Sequence, residues 1–230
     1  MRTLKRFIAL SLCAIALSKS LIAQDTKTVD FYKSIKGYDL GAILTTDSFF
    51  VEDGVREKDK VKRPEPIGFI GDSFQRFYIH FTSVKKNEEN PYEYIVTGKT
   101  KVKTTICSFE GTIKINSSRI YSGSDLPGYK QGIVVCDVSL FEDREQSSSG
   151  VIKGKLVSYF VIDDKKRFRY DGLDFVADGF SNNEFSGTWT SYRTNTVKIC
   201  NWGDFRIPNS SGLDCGVAEF RVSDKHLNNG

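Results

Sequence analysis

The chain has 230 residues, of which 39% are hydrophobic and 13% are aromatic. It carries 33 Lys and Arg against 29 Asp and Glu, but residues 1–23 hold four bases and no acid, so the rest has 29 of each sign and is neutral. The hydrophobic content excludes a largely disordered chain, and the length favours one sizeable domain. The neutral body lacks the basic excess typical of nucleic-acid-binding proteins, so we expect no nucleic-acid partner.

The amino terminus has the organisation of a secretory signal peptide, predicted over residues 1–23. Basic residues precede the apolar run 7–17, which is shorter than the roughly 20 residues of a bilayer span. Cys13 follows Leu12 and lacks the small preceding residue of a lipoprotein cleavage site. We therefore predict cleavage after Ala23 and export to the periplasm or cell surface, with no membrane span in the mature chain.

Residues 24–66 are predicted to be an amino-terminal extension that ends in a charged loop. One short helix is expected in it, between Asp30 and Gly37, because Phe31 and Ile35 are four residues apart. The β domain is assigned to residues 67–222. The polar residues 223–230 are expected to form a flexible tail.

The β domain shows an alternation of period two. Phe77, Ile79 and Phe81 share one face of a predicted strand, and Tyr78 and His80 share the other. This pattern is typical of antiparallel strands with one buried face. Other strands are predicted near 92–102, 107–115, 132–141, 151–162, 167–175, 184–193 and 217–222. We predict an all-β, mostly antiparallel fold with little helix.

Three predicted strands carry a glycine between two apolar residues, at Gly111, Gly154 and Gly187. Glycine weakens a strand interior unless the strand is strongly curved or another backbone approaches closely. The repeat therefore predicts a curved meander or barrel-like sheet. Such a sheet either encloses a ligand cavity or is filled by its own side chains.

Four cysteines remain after the predicted cleavage: Cys107, Cys136, Cys200 and Cys215. An even number in an exported chain favours disulfides, and four cysteines allow three pairings, which the sequence leaves open. No C-x-x-C pair is present and neither histidine is close to a cysteine, so we expect no metal and no cofactor.

Common catalytic signatures are missing from the sequence. It contains no G-x-S-x-G, no H-E-x-x-H and no EF-hand loop. His80 is predicted on a solvated strand face. A hydrolase with two facing carboxylates stays open as an alternative, because acids cluster at Asp163, Asp164, Asp171, Asp174 and Asp178. No catalytic residue is assigned.

The segment 200–209 combines an indole, a carboxylate and a guanidinium at Trp202, Asp204 and Arg206. These three residues are the candidate ligand-binding site, because an indole stacks on a sugar face while the charged groups bind hydroxyls. The alternative is structural: an ion pair between Asp204 and Arg206 closes the loop, and Trp202 covers the core.

Segments 182–192 and 200–208 resemble a group of exported proteins from Bacteroidetes-type bacteria that has no assigned activity. The junction Leu21–Gln24 is similar to the signal-peptide endings of that group. The resemblance implies export and an envelope location. Gly187-Thr188-Trp189 is also similar to the G-x-W of lipocalins and the GTW of avidins, although in those families the motif opens the first strand. That similarity concerns the fold, which does not give function.

These observations lead to a first hypothesis of a non-catalytic binding or interaction module of the bacterial envelope. Its partner would be a small apolar molecule, a glycan or another envelope protein. The alternatives are a carboxylate-dependent glycan hydrolase and a purely structural envelope protein.

Overall fold

The structure, a computed structural model, describes residues 27–51, 59–124 and 126–229. The predicted signal peptide and the first part of the charged loop, 52–58, lie outside the described residues. The strands are β1 (Thr28–Asp30), β2 (Ser48–Val51), β3 (Asp59–Lys62), β4 (Ile67–Ile70), β5 (Gln75–Lys86), β6 (Glu93–Val102), β7 (Thr105–Tyr121), β8 (Lys130–Glu142), β9 (Gly150–Ile162), β10 (Phe168–Tyr170), β11 (Asn182–Ser191) and β12 (Val197–Asp204). The helices are α1 (Tyr32–Ile35) and α2 (Gly41–Leu44), with a 3-10 turn at Asp224–His226.

One antiparallel sheet of ten strands dominates the described residues and curls into a ring. Around the ring the order is β4, β5, β6, β7, β8, β9, β11 and β12, and β12 pairs again with β4. The short strands β1 and β10 add to β7 and β9, so the ring is not a regular barrel. The separate pair β2–β3 forms a hairpin. The prediction of an all-β, antiparallel, curved sheet with little helix is confirmed.

The alternation along β5 sets which side chains fill the ring. Phe77 and Ile79 are buried, whereas Arg76 and His80 are exposed. Successive strand residues point to opposite faces, so this pattern directs one apolar row inward. The same rule applies to β6, where Tyr94 and Val96 are buried.

Gly154 and Gly187 lie directly opposite each other on β9 and β11. A Cβ placed on Gly187 would lie 2.3 Å from the carbonyl oxygen of Lys153 and 2.6 Å from Cζ of Phe185. A Cβ on Gly154 would lie 2.3 Å from the carbonyl oxygen of Ser186. Two backbones and a phenyl ring meet where only hydrogen fits, which is the close approach that the glycine pattern predicts.

The middle of the ring is filled by its own aromatic side chains. The rings of Trp202 and Phe185 stack with centroids 3.6 Å apart and planes 11° from parallel. Phe77 packs on Trp202 at a centroid distance of 5.8 Å. These buried side chains pack in the middle of the ring, between its two ends. Among the described residues, neither helix has the length and apolar character needed to cross a bilayer.

The amino-terminal extension covers one end of the ring, which we call the closed end. Leu40 and Ile43 are at most 1% exposed there. The backbone N–H of Leu40 donates to the Tyr94 hydroxyl at 2.9 Å, and Nδ2 of Asn183 donates to the carbonyl oxygen of Ile43 at 3.3 Å. The segment around α2 therefore spans the end from β6 to β11.

All four cysteines of the described residues, Cys107, Cys136, Cys200 and Cys215, are free thiols, which corrects the expectation of disulfides. Cys136 on β8 pairs with Ile115, eight residues from Cys107 and so about 26 Å along β7. A disulfide needs Cα atoms within about 7 Å. Cys200 is buried on β12, which β9 and β11 separate from β8, and Cys215 is exposed in the following loop.

Candidate functional site

The end of the ring opposite α2 is open, and we call its interior the open-end cavity. Four turns surround it, at 71–74, 103–104, 143–149 and 192–196. The cavity has a volume of about 810 Å³. Its deeper lining includes Phe77, Thr100, Cys107, Glu142 and Trp189.

Glu142 lies in the deeper lining of the open-end cavity, and the residue is 4% exposed. Its Oε2 accepts hydrogen bonds from Nε1 of Trp189 at 2.9 Å and from the backbone N–H of Gly150 at 2.8 Å. Its Oε1 accepts from Oγ1 of Thr100. A carboxylate has about four acceptor positions, so one position on Oε1 is left for a further donor.

The local sequence explains why Glu142 points inward. It is the last residue of β8 and follows Val138 and Leu140 at a spacing of two, so it shares their buried face. The β8–β9 hairpin then returns the backbone N–H of Gly150 to the same point. The donors fix the carboxylate in one orientation, as a preformed binding group requires.

Cys107 lines the same cavity, near Glu142. Burial, together with the nearby Glu142 and Asp143 carboxylates, raises the pKa of this thiol to about 11. The thiolate is the reactive form of cysteine, so at neutral pH Cys107 is a neutral thiol and a poor nucleophile.

The predicted trio of Trp202, Asp204 and Arg206 does not face a common space. Trp202 is 1% exposed in the aromatic stack of the core. Asp204 is fully buried at the closed end, where it pairs with Arg63 and not with Arg206. Arg206 donates to the carbonyl oxygens of Gly216 and Val217 at 2.9 and 3.1 Å. A binding role for the trio stays a prediction.

Asp204 and Arg63 form the polar centre of the closed end. Nε and Nη2 of Arg63 donate to the two carboxylate oxygens at 2.8 and 2.9 Å. Nδ2 of Asn183 adds a bond to Asp204 at 2.7 Å. Burial lowers the pKa of Arg63, but the Asp204 carboxylate outweighs it and raises that pKa overall. Burial raises the pKa of Asp204, and the Arg63 guanidinium and the Asn183 amide act against that rise. The two hydrogen bonds between guanidinium and carboxylate link β12 to the segment between β3 and β4, and they hold the closed end together.

His80 and Asp163, one of the clustered acids, do not line the open-end cavity. Nδ1 of His80 lies 2.9 Å from Oε1 of Glu65, and both side chains are more than half exposed. Asp163 accepts from the backbone N–H groups of Lys165 and Arg167 at 2.9 and 2.8 Å, so it stabilises the turn after β9. Within the described ranges, no group of three His, Cys, Asp or Glu side chains is placed to hold a metal.

Sequence reasoning missed Glu142 and Thr100 as site residues. The signal for Glu142 was present, because it is a charged residue at an inward position of an alternating strand. The signal for Thr100 was weaker, since threonine is common in strands. Their meeting depends on the pairing of strands distant in sequence.

No protein-family model matches the chain, and comparisons with curated proteins and with solved structures find no match either. The resemblance to exported proteins of Bacteroidetes-type bacteria stays a prediction. The similarity of Gly187-Thr188-Trp189 to the lipocalin and avidin motifs likewise stays a prediction.

Proposed function

We propose that the protein is an exported, non-catalytic binding module that holds a small ligand in its open-end cavity. The observation that carries the proposal is Glu142, a buried and oriented carboxylate at the end of an open cavity of about 810 Å³. Small-molecule sites are typically concave, of about 300–1,000 Å³, with a few fixed polar groups among apolar walls. The open-end cavity has these properties.

The lining favours a ligand that carries both hydroxyl groups and apolar faces. The free acceptor position of Glu142 suits an O–H or N–H donor. Thr104 and Thr105 supply further polar groups at the rim, and Ile70 and Val102 supply apolar wall. The end of a saccharide matches this surface, because its hydroxyls lie at the ring edge and its C–H groups on the ring face.

The chemistry of the deep residues supports binding over catalysis. Glu142 is held by three donors, and Cys107 is protonated at neutral pH. A nucleophile with an adjacent base is the usual sign of covalent catalysis. The deep lining offers fixed hydrogen-bonding groups, and its role is to bind and orient. The predicted signal peptide favours a ligand found outside the cytoplasm.

Native and denaturing mass spectrometry test the proposal on protein exported by a Gram-negative host. We expect extra mass under native conditions only, from a retained ligand. Thr196→Trp fills the rim with a large side chain at an exposed position and should abolish retention. Thr97→Trp, on the exposed outer face of β6, is the matched control and should keep the extra mass.

Two results would overturn the proposal. One is equal retention of ligand by the Thr196→Trp and Thr97→Trp variants, because the ligand would then lie elsewhere. The other is a clean apo mass together with no binding on an array of neutral and acidic saccharides. Circular dichroism of both variants checks that neither substitution unfolds the protein.

A further inference from the structure

A second depression, the side groove, adjoins the open-end cavity. The turns 143–149 and 192–196 form its walls, and its volume is about 710 Å³. Ser148, Trp189 and Thr196 line both the groove and the cavity. The two spaces are therefore continuous, and one extended ligand can reach from one into the other.

The side groove carries an excess of positive charge. The charged residues that line it are Arg144, Glu145, Arg193 and Lys198. The Arg144 guanidinium lies 4.1 Å from the ring centroid of Tyr192, and Nζ of Lys198 lies 5.7 Å from the ring of Trp189. In the part of the chain that the structure describes, no carboxylate lies within ion-pair distance of Arg144 or Lys198. These cations rest on aromatic rings, and their charge is not neutralised.

The groove is built from two loops of seven and five residues, 143–149 and 192–196, that carry exposed hydroxyls. Ser148 and Asn195 have φ of 62° and 54°, in the left-handed region that short hairpin turns require. The hydroxyl of Thr194 donates to Oγ1 of Thr196 at 2.9 Å or accepts from it, which ties the second turn together. The exposed hydroxyls of Ser147, Ser148 and Thr194 give the groove neutral hydrogen-bonding groups beside its cations.

We infer that the side groove binds the carboxylate or sulfate groups of an acidic oligosaccharide whose end unit occupies the open-end cavity. This inference rests on the proposed function and adds the class of ligand. Arginine side chains bind carboxylate and sulfate oxygens through charge-assisted, often bidentate, hydrogen bonds. Glu142 repels acidic groups and accepts from neutral hydroxyls. The end unit therefore directs its hydroxyls toward Glu142 in the cavity, and the carboxylate or sulfate groups lie toward the groove.

A matched pair of probes isolates the charge of the ligand. The acidic probe is hexameric oligogalacturonate, and the neutral probe is its methyl ester, which has the same sugar backbone. A heparin hexasaccharide tests sulfate in place of carboxylate. Isothermal titration calorimetry should show binding of the acid, weaker binding of the ester, and loss of the difference in 0.5 M NaCl, because salt screens exposed charges.

A variant that lacks two of the groove's cations then tests whether the groove causes the preference for the acidic probe. Arg144→Gln with Arg193→Gln removes two exposed cations from the groove and should weaken binding of the acidic probe about 10- to 100-fold, the value of one or two charge-assisted hydrogen bonds. Lys130→Gln with Lys165→Gln removes the same charge from exposed positions at the other end of the ring and is the control. Its affinity should match that of the wild type.

The outcomes separate this inference from the proposed function. Equal affinity for the acid and the ester, unchanged in the Arg144 and Arg193 variant, would overturn the acidic groove. Loss of that binding in Thr104→Trp, an exposed position that lines the cavity and not the groove, would leave the cavity as a neutral site. Failure of both the galacturonate and the heparin probes to bind would also overturn the inference, while a retained ligand in the mass spectrum would still support the cavity.

Discussion

Each end of the ring holds a buried carboxylate, and the two differ in their partners. Asp204 at the closed end lies 2.8 Å from a guanidinium nitrogen of Arg63, so its charge is neutralised within the protein. Glu142 at the open end has three neutral donors and, in the described part of the chain, no cation partner. Because Arg63 neutralises Asp204 inside the protein, we assign that carboxylate a role in stability. Glu142 is bound only by neutral donors beside an open cavity, so its charge is available to a ligand.

The largest effect is expected at the closed end. Asp204→Ala leaves Arg63 buried and unpaired and should lower the free energy of unfolding by about 3–5 kcal/mol, measured by urea denaturation. The double variant Arg63→Met with Asp204→Leu removes both charges and should recover much of that loss. A loss below about 1 kcal/mol for Asp204→Ala would mean that the ion pair does not hold the closed end together.

The second-largest effect on stability is expected where β9 and β11 approach each other closely in the ring. Gly154→Ala places a methyl group against the backbone of β11 and the Phe185 ring, and overpacking of this kind costs about 1–3 kcal/mol. Gly123→Ala is the control, since a Cβ there has no neighbour within 4 Å. Thermal unfolding should show a lower Tm for the first variant and almost no change for the second. Equal Tm values would refute the close approach of β9 and β11.

A smaller, pH-dependent effect is expected at Asp163. Burial raises the pKa of this carboxyl, but the backbone N–H and the guanidinium of Arg167 outweigh burial and lower it overall. A pKa lowered by folding contributes stability that is complete above the unfolded value of about 3.9 and is lost as the pH falls through the folded value. Asp163→Asn should therefore cost about 1–2 kcal/mol at pH 7 and less at pH 3, which lies below the unfolded value, so that part of the contribution of the carboxylate is already lost. An equal cost at both pH values would contradict this.

The smallest change in stability is expected at Glu142. In Glu142→Gln the amide oxygen can accept from Trp189 and Gly150 while the amide nitrogen donates to Thr100, so unfolding should change by less than about 1 kcal/mol. Ligand retention should fall because the charged acceptor is gone. Glu142→Ala leaves the three donors without a partner and should be several times more destabilising. Unchanged retention in Glu142→Gln would show that this carboxylate is not part of the site.

The sequence predicted the fold better than it predicted the site. Alternation in β5 and the glycines Gly154 and Gly187 report on neighbours in the same strand or sheet, so the curved antiparallel sheet could be predicted. The partner of Asp204 is 141 residues away in the chain, and no local pattern brings Arg63 to it. Trp202, Asp204 and Arg206 were grouped because they lie within five residues, but the chain turns at Phe205, where φ is 64°, and Arg206 points away from the other two.

The cysteines illustrate the same limit. Cys136 lies at an inward position of β8, between Val134 and Val138, so alternation assigns it to the core. Burial does not alternate along β12, where the five residues from Cys200 to Asp204 are all buried, so alternation does not place Cys200. Whether two thiols meet depends on strand order and register, which a count of cysteines does not contain. The proposed ligand-binding groups at the open end depend in the same way on the pairing of β6, β8 and β11.

The chain has two tryptophans, and their NMR signals test most directly whether a ligand binds in the open-end cavity. The indole N–H of Trp189 donates to Glu142 at the open-end cavity, and Trp202 lies in the aromatic stack. With ¹⁵N-tryptophan labelling, NMR should show two indole signals, assigned by Trp189→Phe. Titration with oligogalacturonate or its methyl ester should move the Trp189 signal and leave that of Trp202 in place. If a bound probe moves the Trp202 signal alone, or neither signal, ligand binding does not take place in the open-end cavity.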